Sequence, residues 1–585
     1  MSFNLIISDH KNLWSRKNNI LIGDWCANNN NILKNKKIKK AKYHWDSKKK
    51  IQKDLLYLYH LYEFILIKLT KKLNTYHKKK FTKKCWEIIL SKWLWFYIIF
   101  YFDRWEQVNN LKNKKKLFVK LLDFDQNQFI PLDSENFSKN IHTNNWNHFA
   151  FSKIIKFIRI IKYQNINIIK ENLNIKKKDS FSFNIKIIFA RILNIISSNK
   201  FYCLNVFPGI ISNLIFAFSF QQFRSRIIFY KRYKDNKIDI DSREKNLLIN
   251  KKKSTKFEKF IFENIVENLP KSYFENFNSI NEMIDTLGLP KFPKVIMTAS
   301  EHHYNDVFKI YSANKIMNKS KYYIFQHGGS YGSADLFPTE KFDIKIADKF
   351  FSWGWTNKEK KIEKFFCNRN FFIKKKIKRK KITKGIIIPY IECSLYPNNI
   401  ASGRPRTKED VKSYINVLNL FYRNLNENIK KESFFKSLNQ FKTDYNIYDT
   451  YVKNSLKKLL KNIKFMQSDS NTYKFLDNFK LCVETLNSTG YLESLQLNLP
   501  TVVIFDKNFC DIRKNSKKDF DALKKVNILF ENSYEAANFI NKNYNNLEEW
   551  WNEAQLQKIR KQFCDKYART CNTPTKEFNN ILKIC

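Results

Sequence analysis

The chain has 585 residues, 43% hydrophobic and 16% aromatic, so it can bury large cores and is not disordered throughout. At about 100–200 residues per domain it is too long for one domain. It carries 107 Lys+Arg against 54 Asp+Glu, a formal charge of +53, which by itself suggests nucleic acid or an anionic membrane as partner.

The rest of the composition weakens that suggestion. Lys, Asn and Ile crowd every row and Phe numbers 53, while Gly numbers only 10. The enriched residues have A/T-rich codons and glycine codons begin GG, so most of the charge reads as compositional background. The ten cysteines form no CxxC pair and no His/Cys cluster of zinc spacing. The start MSFNLIISDHKNLW lacks the basic and apolar regions of a signal peptide, and the expectation is a reducing, intracellular protein.

Asn4–Ser8 reads as a short buried strand. Ile51, Leu55, Leu58, Tyr62, Ile65, Leu69 and Leu73 then recur in steps of three and four, one stripe of a helix. Trp86–Phe102 is the most apolar stretch. Glu87 and Lys92 interrupt it, and the unbroken part, Trp93–Phe102, is half of the about 20 residues a spanning helix needs. It reads as a buried or interfacial helix. Residues 110–180 are rich in Asn and Lys and show no pattern. Ile185–Ile196 and Phe201–Phe220 read as helical, and 231–255 as a charged surface loop.

After Pro290, short apolar runs alternate with turns: Lys294–Ser300, Tyr322–Gly329 and Asp348–Trp355, with a helix over Asp306–Met317 between the first two. Strand, helix, strand at this spacing predicts a parallel sheet. The basic run Lys374–Lys381 precedes Gly385–Ile391, the expected first strand of a second domain. Val411–Leu425 (helix), Leu481–Leu486 (strand), Tyr491–Leu497 (helix) and Thr501–Phe505 (strand) follow. A last helix is expected from Asn546, with Glu549 completing a capping box.

The expected fold is α/β, with two Rossmann-like domains and an α-helical insertion in the N-terminal half. Residues 1–355 form the first domain with its insertion at about 41–130, 356–384 a basic linker, and 385–585 the second domain. The ligand is expected at the carboxyl ends of the strands, in the cleft between domains.

Four of the ten glycines, Gly328, Gly329, Gly332 and Gly354, fall within 27 residues. QHGGSYG (Gln326–Gly332) ends a predicted strand. Glycines there allow positive φ and close approach of backbone, and exposed N–H groups can hold an anion. His327 is the candidate acid, base or phosphate donor, with Gly328, Gly329, Tyr331 and Gly332 shaping the loop or binding acceptor. Glu301 and His302, with His303, follow the Lys294–Ser300 strand; Glu301 is a second catalytic candidate and His302 an acceptor-side one. In the second domain a strand runs into Asn487, Ser488, Thr489 and Gly490 and a helix starts at once, a ready anion site, with Glu493 one turn inside to accept a sugar or ribose hydroxyl. Arg404 and Arg406 in SGRPR could clamp a diphosphate or a carboxylate. The Walker ending and the GxGxxG fingerprint are missing from the sequence.

Taken together, YHWD (Tyr43–Asp46), FDRWE (Phe102–Glu106), QHGGSYG, ADKFFSWGW (Ala347–Trp355) and LNSTGYLESLQLNLPTVV (Leu486–Val503) resemble a family of bacterial transferases found with surface-carbohydrate biosynthesis genes. The resemblance runs from about residue 1 to 570. More distantly, the second half resembles two-domain glycosyltransferases of the GT-B fold. That likeness implies donor contacts at Asn487, Ser488, Thr489, Gly490 and Glu493, and catalysis or acceptor binding at His327, Gly328 and Gly329. It implies sugar transfer from a nucleotide-activated donor to a cell-surface glycan, without bound metal or cofactor. Expected partners are the nucleotide sugar, a glycan or lipid-linked acceptor, and an anionic inner-membrane surface met peripherally from the cytoplasm. Nucleic acid is not expected. A polyol-phosphate transferase is the nearest alternative, and a basic nucleic-acid-binding protein the alternative of another class.

Overall fold

The apolar run FNLI (Phe3–Ile6) forms β1, the middle of a five-stranded sheet. β2 (Asn19–Leu21), β3 (Lys39–Lys40), β4 (Leu117–Asp123) and β5 (Lys162–Asn167) complete it in the order β3-β2-β1-β4-β5, every pair parallel. The computed structural model describes residues 3–583 except 17, 28–37, 46, 113–115, 168–180, 208–209, 224–232, 371–383, 394–406, 439–450 and 467–477.

The chain order of this sheet reverses between β1 and β4, and His148 ties the two strand ends. The Leu122 amide donates to its Nε2 at 2.9 Å, so Nδ1 carries the proton and donates to Ser8 Oγ at 2.7 Å. Burial holds this imidazole neutral, its pKa well below the ordinary value. β4 lies in the segment that looked patternless. Its alternation buries Leu117, Val119 and Leu121 beneath the lysines and asparagines that mask it in composition. The helical insertion is therefore shorter than about 41–130, since the chain is back in the sheet at Leu117.

The insertion is a pair of helices. Lys48–Tyr76 buries the stripe read from the sequence and starts at Ser47, whose hydroxyl accepts from Lys50 N at 3.3 Å. Lys83–Asn109 is long and apolar enough to cross a membrane, yet 89% of its most apolar window is buried. Its polar atoms have protein partners: Trp93 Nε1 donates to Asn268 O, Tyr97 OH to Ile261 O and Tyr101 OH to Asn268 Oδ1, all at 2.7–3.0 Å. Asp103 joins two of the sequence motifs. It accepts from Tyr43 OH, bonds His44 Nε2 at 3.0 Å and pairs with Arg104 Nη1 at 2.7 Å.

Two expectations on the following segment need correction. Phe201–Phe220 is not one helix: β6 (Phe201–Leu204) precedes the helix Ile210–Phe220. The charged stretch 231–255 contains the helix Ile240–Leu247, which carries the fully buried Arg243. The guanidinium of Arg243 grips both Glu275 carboxylate oxygens at 2.5 and 2.6 Å and donates to the carbonyls of Val266 and Leu269 at 2.8 Å.

By contacts the chain divides into two compact units. The first is Met1–Leu204, Gln222–Ile296 and Glu301–Lys321; the second is Asn205–Gln221, Met297–Ser300 and Tyr322–Cys585. This division crosses the expected boundary at residue 355. In the central part of the chain β7 (Val295–Thr298) precedes the helix Asp306–Met317, whose ends match those read from the sequence. β8 (Lys321–Phe325), β9 (Lys349–Ser352) and β10 (Ile362–Lys364) pair in parallel. β10 falls inside the segment expected as a linker, and the basic run Lys374–Lys381 lies outside the described residues.

The second unit also holds a six-stranded parallel sheet. β11 (Lys384–Tyr390), β12 (Phe434–Ser437), β13 (Lys464–Met466), β14 (Phe479–Glu484), β15 (Thr501–Ile504) and β16 (Leu529–Phe530) stand in the order β13-β12-β11-β14-β15-β16. This is the doubly wound Rossmann order, 3-2-1-4-5-6, in which ligands bind outside the carboxyl ends where the order reverses. Here the reversal lies between β11 and β14. The expected last helix is two helices, Leu547–Asn552 and Ala554–Tyr567. Asn546 stands at the N-cap position, but its side chain makes no capping bond.

Arg243→Met leaves the Glu275 carboxylate buried without its cation. The expected cost is about 3–5 kcal/mol, read as a lower urea midpoint for the first unit's transition. A cost under about 1 kcal/mol would show that this pair does not hold the unit together.

Candidate active site

β8 delivers Gln326 and His327 at its carboxyl end. Gln326 is buried: its Oε1 accepts from Trp353 N at 2.9 Å and Trp355 Nε1 at 2.8 Å, and its Nε2 donates to Gly328 O at 2.8 Å. One amide thus locks the QHGG turn to the SWGW turn after β9. Gly332 has φ +70°, and a Cβ there would stand 2.5 Å from the Trp355 ring.

His327 is half-buried and its ring is oriented by a relay. Tyr331 OH lies 2.6 Å from Asp343 Oδ2 and 3.0 Å from His327 Nδ1. The one hydroxyl proton goes to the carboxylate, so Nδ1 carries a proton and donates to the tyrosine oxygen. Burial, and then the Asp343 charge, push the Tyr331 pKa well above its ordinary value and keep the hydroxyl intact.

The loop rests on the turn after β14. A Cβ at Gly329 would lie 2.3 Å from Ser488 O and 2.7 Å from Thr489 N, so backbone packs directly on backbone. Gly329 N donates to Thr489 Oγ1 at 2.9 Å, and Ser330 Oγ donates to Asn487 O. Farther along, Arg513 clamps the loop: its Nη1 meets Glu340 Oε1 at 3.0 Å and its Nη2 and backbone N donate to Ala334 O and Ser333 O. Glu340 Oε2 in turn accepts from Gly332 N at 2.7 Å.

In the turn itself, Asn487 is fully buried and its Oδ1 accepts from Tyr491 OH at 3.2 Å. Ser488 is the N-cap of the helix Thr489–Gln496 but makes no side-chain capping bond. Glu493, one turn in, pairs with Arg369 Nε at 2.6 Å, and its second oxygen is buried with no hydrogen-bond partner among the described residues. Burial lifts the Glu493 pKa to about 7 against the pull of Arg369. Glu484, the last residue of β14, is buried under Gly490: a Cβ on that glycine would stand 2.5 Å from Glu484 Oε1. Burial pushes its pKa to about 8.

The residues read from the sequence are thus distributed as follows. His327, Gly328, Gly329, Tyr331 and Gly332 meet Asn487, Ser488 and Thr489 in the second unit, with Gly490 and Glu493 on the same turn and helix. Glu301 and His302 are buried on the short helix Glu301–Tyr304 of the first unit, where Glu301 Oε2 accepts from Asn305 Nδ2 at 2.8 Å. Arg404 and Arg406 lie outside the described residues. Sequence reasoning missed Gln326, Asp343, Arg369 and Glu484. Glu484 ends an apolar strand at the switch point, which was the available signal; Asp343 and Arg369 sit in ordinary charged runs.

Gly329→Ala forces the loop off Ser488 and is expected to lower stability by about 1–3 kcal/mol, whereas Gly328→Ala, whose nearest neighbour would be Thr489 Oγ1 at 3.3 Å, costs less. Equal thermal midpoints for the two variants would contradict the contact. Glu484 gives a pH signature. Its proton leaves the unfolded chain near the ordinary 4.5 and the folded chain near 8. The stability it contributes is present below 4.5 and is lost as pH rises through about 8. Glu484→Gln is therefore expected to flatten the fall of the melting temperature across that window; parallel curves for wild type and variant would refute the assignment.

No curated protein matches the chain. Among solved structures, Anabaena HepE in complex with UDP-glucose is similar at 9% identity, over 66% of this chain and 99% of that one, with a TM-score of 0.34. Spinosyn rhamnosyltransferase SpnG complexed with spinosyn aglycone is similar at 7% identity, over 53% of this chain and 78% of that one, with a TM-score of 0.30. Residues 3–582 match the LIC12162 family transferase, and the chain belongs to that family.

Proposed function

We propose that this transferase moves a sugar from a nucleotide-activated donor to a cell-surface glycan, as a GT-B-like enzyme. The observation that carries the reading is the seating of a histidine-bearing glycine loop on the helix-starting turn after β14, at the reversal point of a Rossmann-ordered sheet. The start of a helix stabilises negative charge through its unpaired N–H groups. A departing nucleoside diphosphate is such a charge.

In the proposed step the donor's glycosidic C–O bond breaks as the acceptor oxygen bonds to the same carbon. The diphosphate leaves with the electron pair, and the acceptor's proton goes to His327. The Asp343–Tyr331–His327 relay supports that role, because it places the proton of the neutral ring on Nδ1 and the lone pair on Nε2. Glu493 and Arg369 are assigned to the donor's hydroxyls and phosphate, since the carboxylate keeps one buried oxygen without a partner among the described residues.

A thermal-shift screen against UDP-, GDP-, CMP-, CDP- and dTDP-linked compounds identifies the donor. Stabilisation by CDP-polyols alone would replace sugar transfer with polyol-phosphate transfer. With the donor in hand, His327→Ala is expected to abolish turnover with the melting temperature retained. Tyr331→Phe is expected to lower kcat by roughly 10–100-fold and shift the pH profile. Wild-type turnover in His327→Ala rules out the catalytic assignment.

A further inference from the structure

The helix Phe181–Ile196 is attached to the first unit by its polar side. Arg191 Nη2 donates to Thr286 O at 2.7 Å, and Asn194 Nδ2 donates to Leu287 O at 3.1 Å. Ala190 and Asn194 are buried on this side. The opposite side carries Ile185, Ile188, Phe189, Ile192, Ile195 and Ile196, all between 51% and 68% exposed. Their spacing of three, one, three, three and one residues places them on one face. An ordinary surface helix points its apolar face inward; this one is inverted. Six large apolar side chains on one face make a patch that soluble proteins rarely leave uncovered.

The surroundings identify what covers it. The turn that receives Arg191 and Asn194 leads directly to Phe292, which is 78% exposed. Lys291 and Lys294 flank Phe292, and both are exposed, as are Lys186 on the helix and Lys200 just beyond its end. Against these four cations the helix that leads into the turn offers two exposed carboxylates, Glu282 and Asp285. A second copy of the chain laid on this face would oppose lysine to lysine. An anionic lipid surface opposes lysine to phosphate and takes the apolar side chains into the headgroup–acyl boundary.

We propose that the helix Phe181–Ile196, with Phe292, is an interfacial membrane anchor that lies in the plane of an anionic bilayer. The anchor is independent of the transfer chemistry, because its occupancy is read without turnover. It differs from diffuse attraction of a basic protein in requiring six named apolar residues.

The test is flotation of the full chain with vesicles of phosphatidylcholine alone and of phosphatidylcholine mixed with phosphatidylglycerol. Wild type is expected to float with the mixed vesicles and weakly with the neutral ones. The double variant Phe189→Asp, Ile192→Asp is expected to lower the bound fraction about tenfold or more. These side chains are solvent-exposed, and circular dichroism and the melting temperature check that the fold is retained. Phe189→Trp is expected to shift its emission to the blue with mixed vesicles and not in their absence. Undiminished binding of the double variant overturns the anchor in favour of lysine attraction alone. Failure of the wild type to float overturns it outright. A wild-type dimer that the double variant makes monomeric, without vesicle binding, assigns the face to a second copy.

Discussion

The backbone of Gly329 lies on the peptide between Ser488 and Thr489, and the site depends on that contact. No side chain separates the two segments, so the loop after β8 and the turn after β14 are held at the closest approach two peptide chains allow. The hydrogen bond from Gly329 N to Thr489 Oγ1 uses a donor that this approach would otherwise strand. Thr489 therefore serves the loop through its side chain while its backbone opens a helix. Ser330 and Asn487 repeat the arrangement one residue away, hydroxyl to carbonyl. Much of what resembles a ligand-binding turn in the sequence is thus a docking surface for the histidine loop.

This rigidity has an electrostatic counterpart. Tyr331, Asn487, Glu484 and Glu493 are all buried, and both glutamates titrate far above their ordinary value because water is excluded. The two differ in partner. Glu493 faces Arg369, which partly restores the charged form, whereas Glu484 accepts from the Cys482 thiol at 3.8 Å. Near neutral pH Glu484 is an uncharged carboxyl beneath the helix start, and Glu493 is poised between forms. A neutral carboxyl below the helix does not compete with an anion for the N–H groups above it, which is the condition an anion site there requires.

How much of this could be read in the sequence follows from where each signal comes from. The glycine cluster was legible because glycine is scarce, and Gly329 and Gly332 within it answer steric demands. Helix Asp306–Met317 was legible as a helix-length stretch between two short apolar runs. β4 was not, because a strand of seven residues needs only a few apolar positions and the lysines around it swamp the window. The buried Arg243 was read as surface for the same reason: composition cannot distinguish a solvated arginine from one whose carboxylate lies 32 residues away. Asp343 and Arg369 acquire their roles only through tertiary contacts, and neither local pattern nor spacing points to them.

Two apolar helices show why hydropathy alone is a poor guide to surfaces in this chain. Lys83–Asn109 has the length and composition of a membrane span, but Asn268 and the Ile261 carbonyl meet its tryptophan and tyrosine polar atoms, and it is buried in the first unit. Phe181–Ile196 is shorter and includes a lysine, an arginine and two asparagines, yet it keeps six large apolar residues in water. The difference is what the polar residues do. In the first helix they find partners on a neighbouring helix inside a core; in the second, Arg191 and Asn194 face inward to backbone carbonyls, and that forces the apolar face out. The same reasoning applies to the charge of +53. Lysines spread along the chain by composition specify nothing, but lysines that ring an outward apolar face define a plane, and it is their placement, rather than their number, that can carry function.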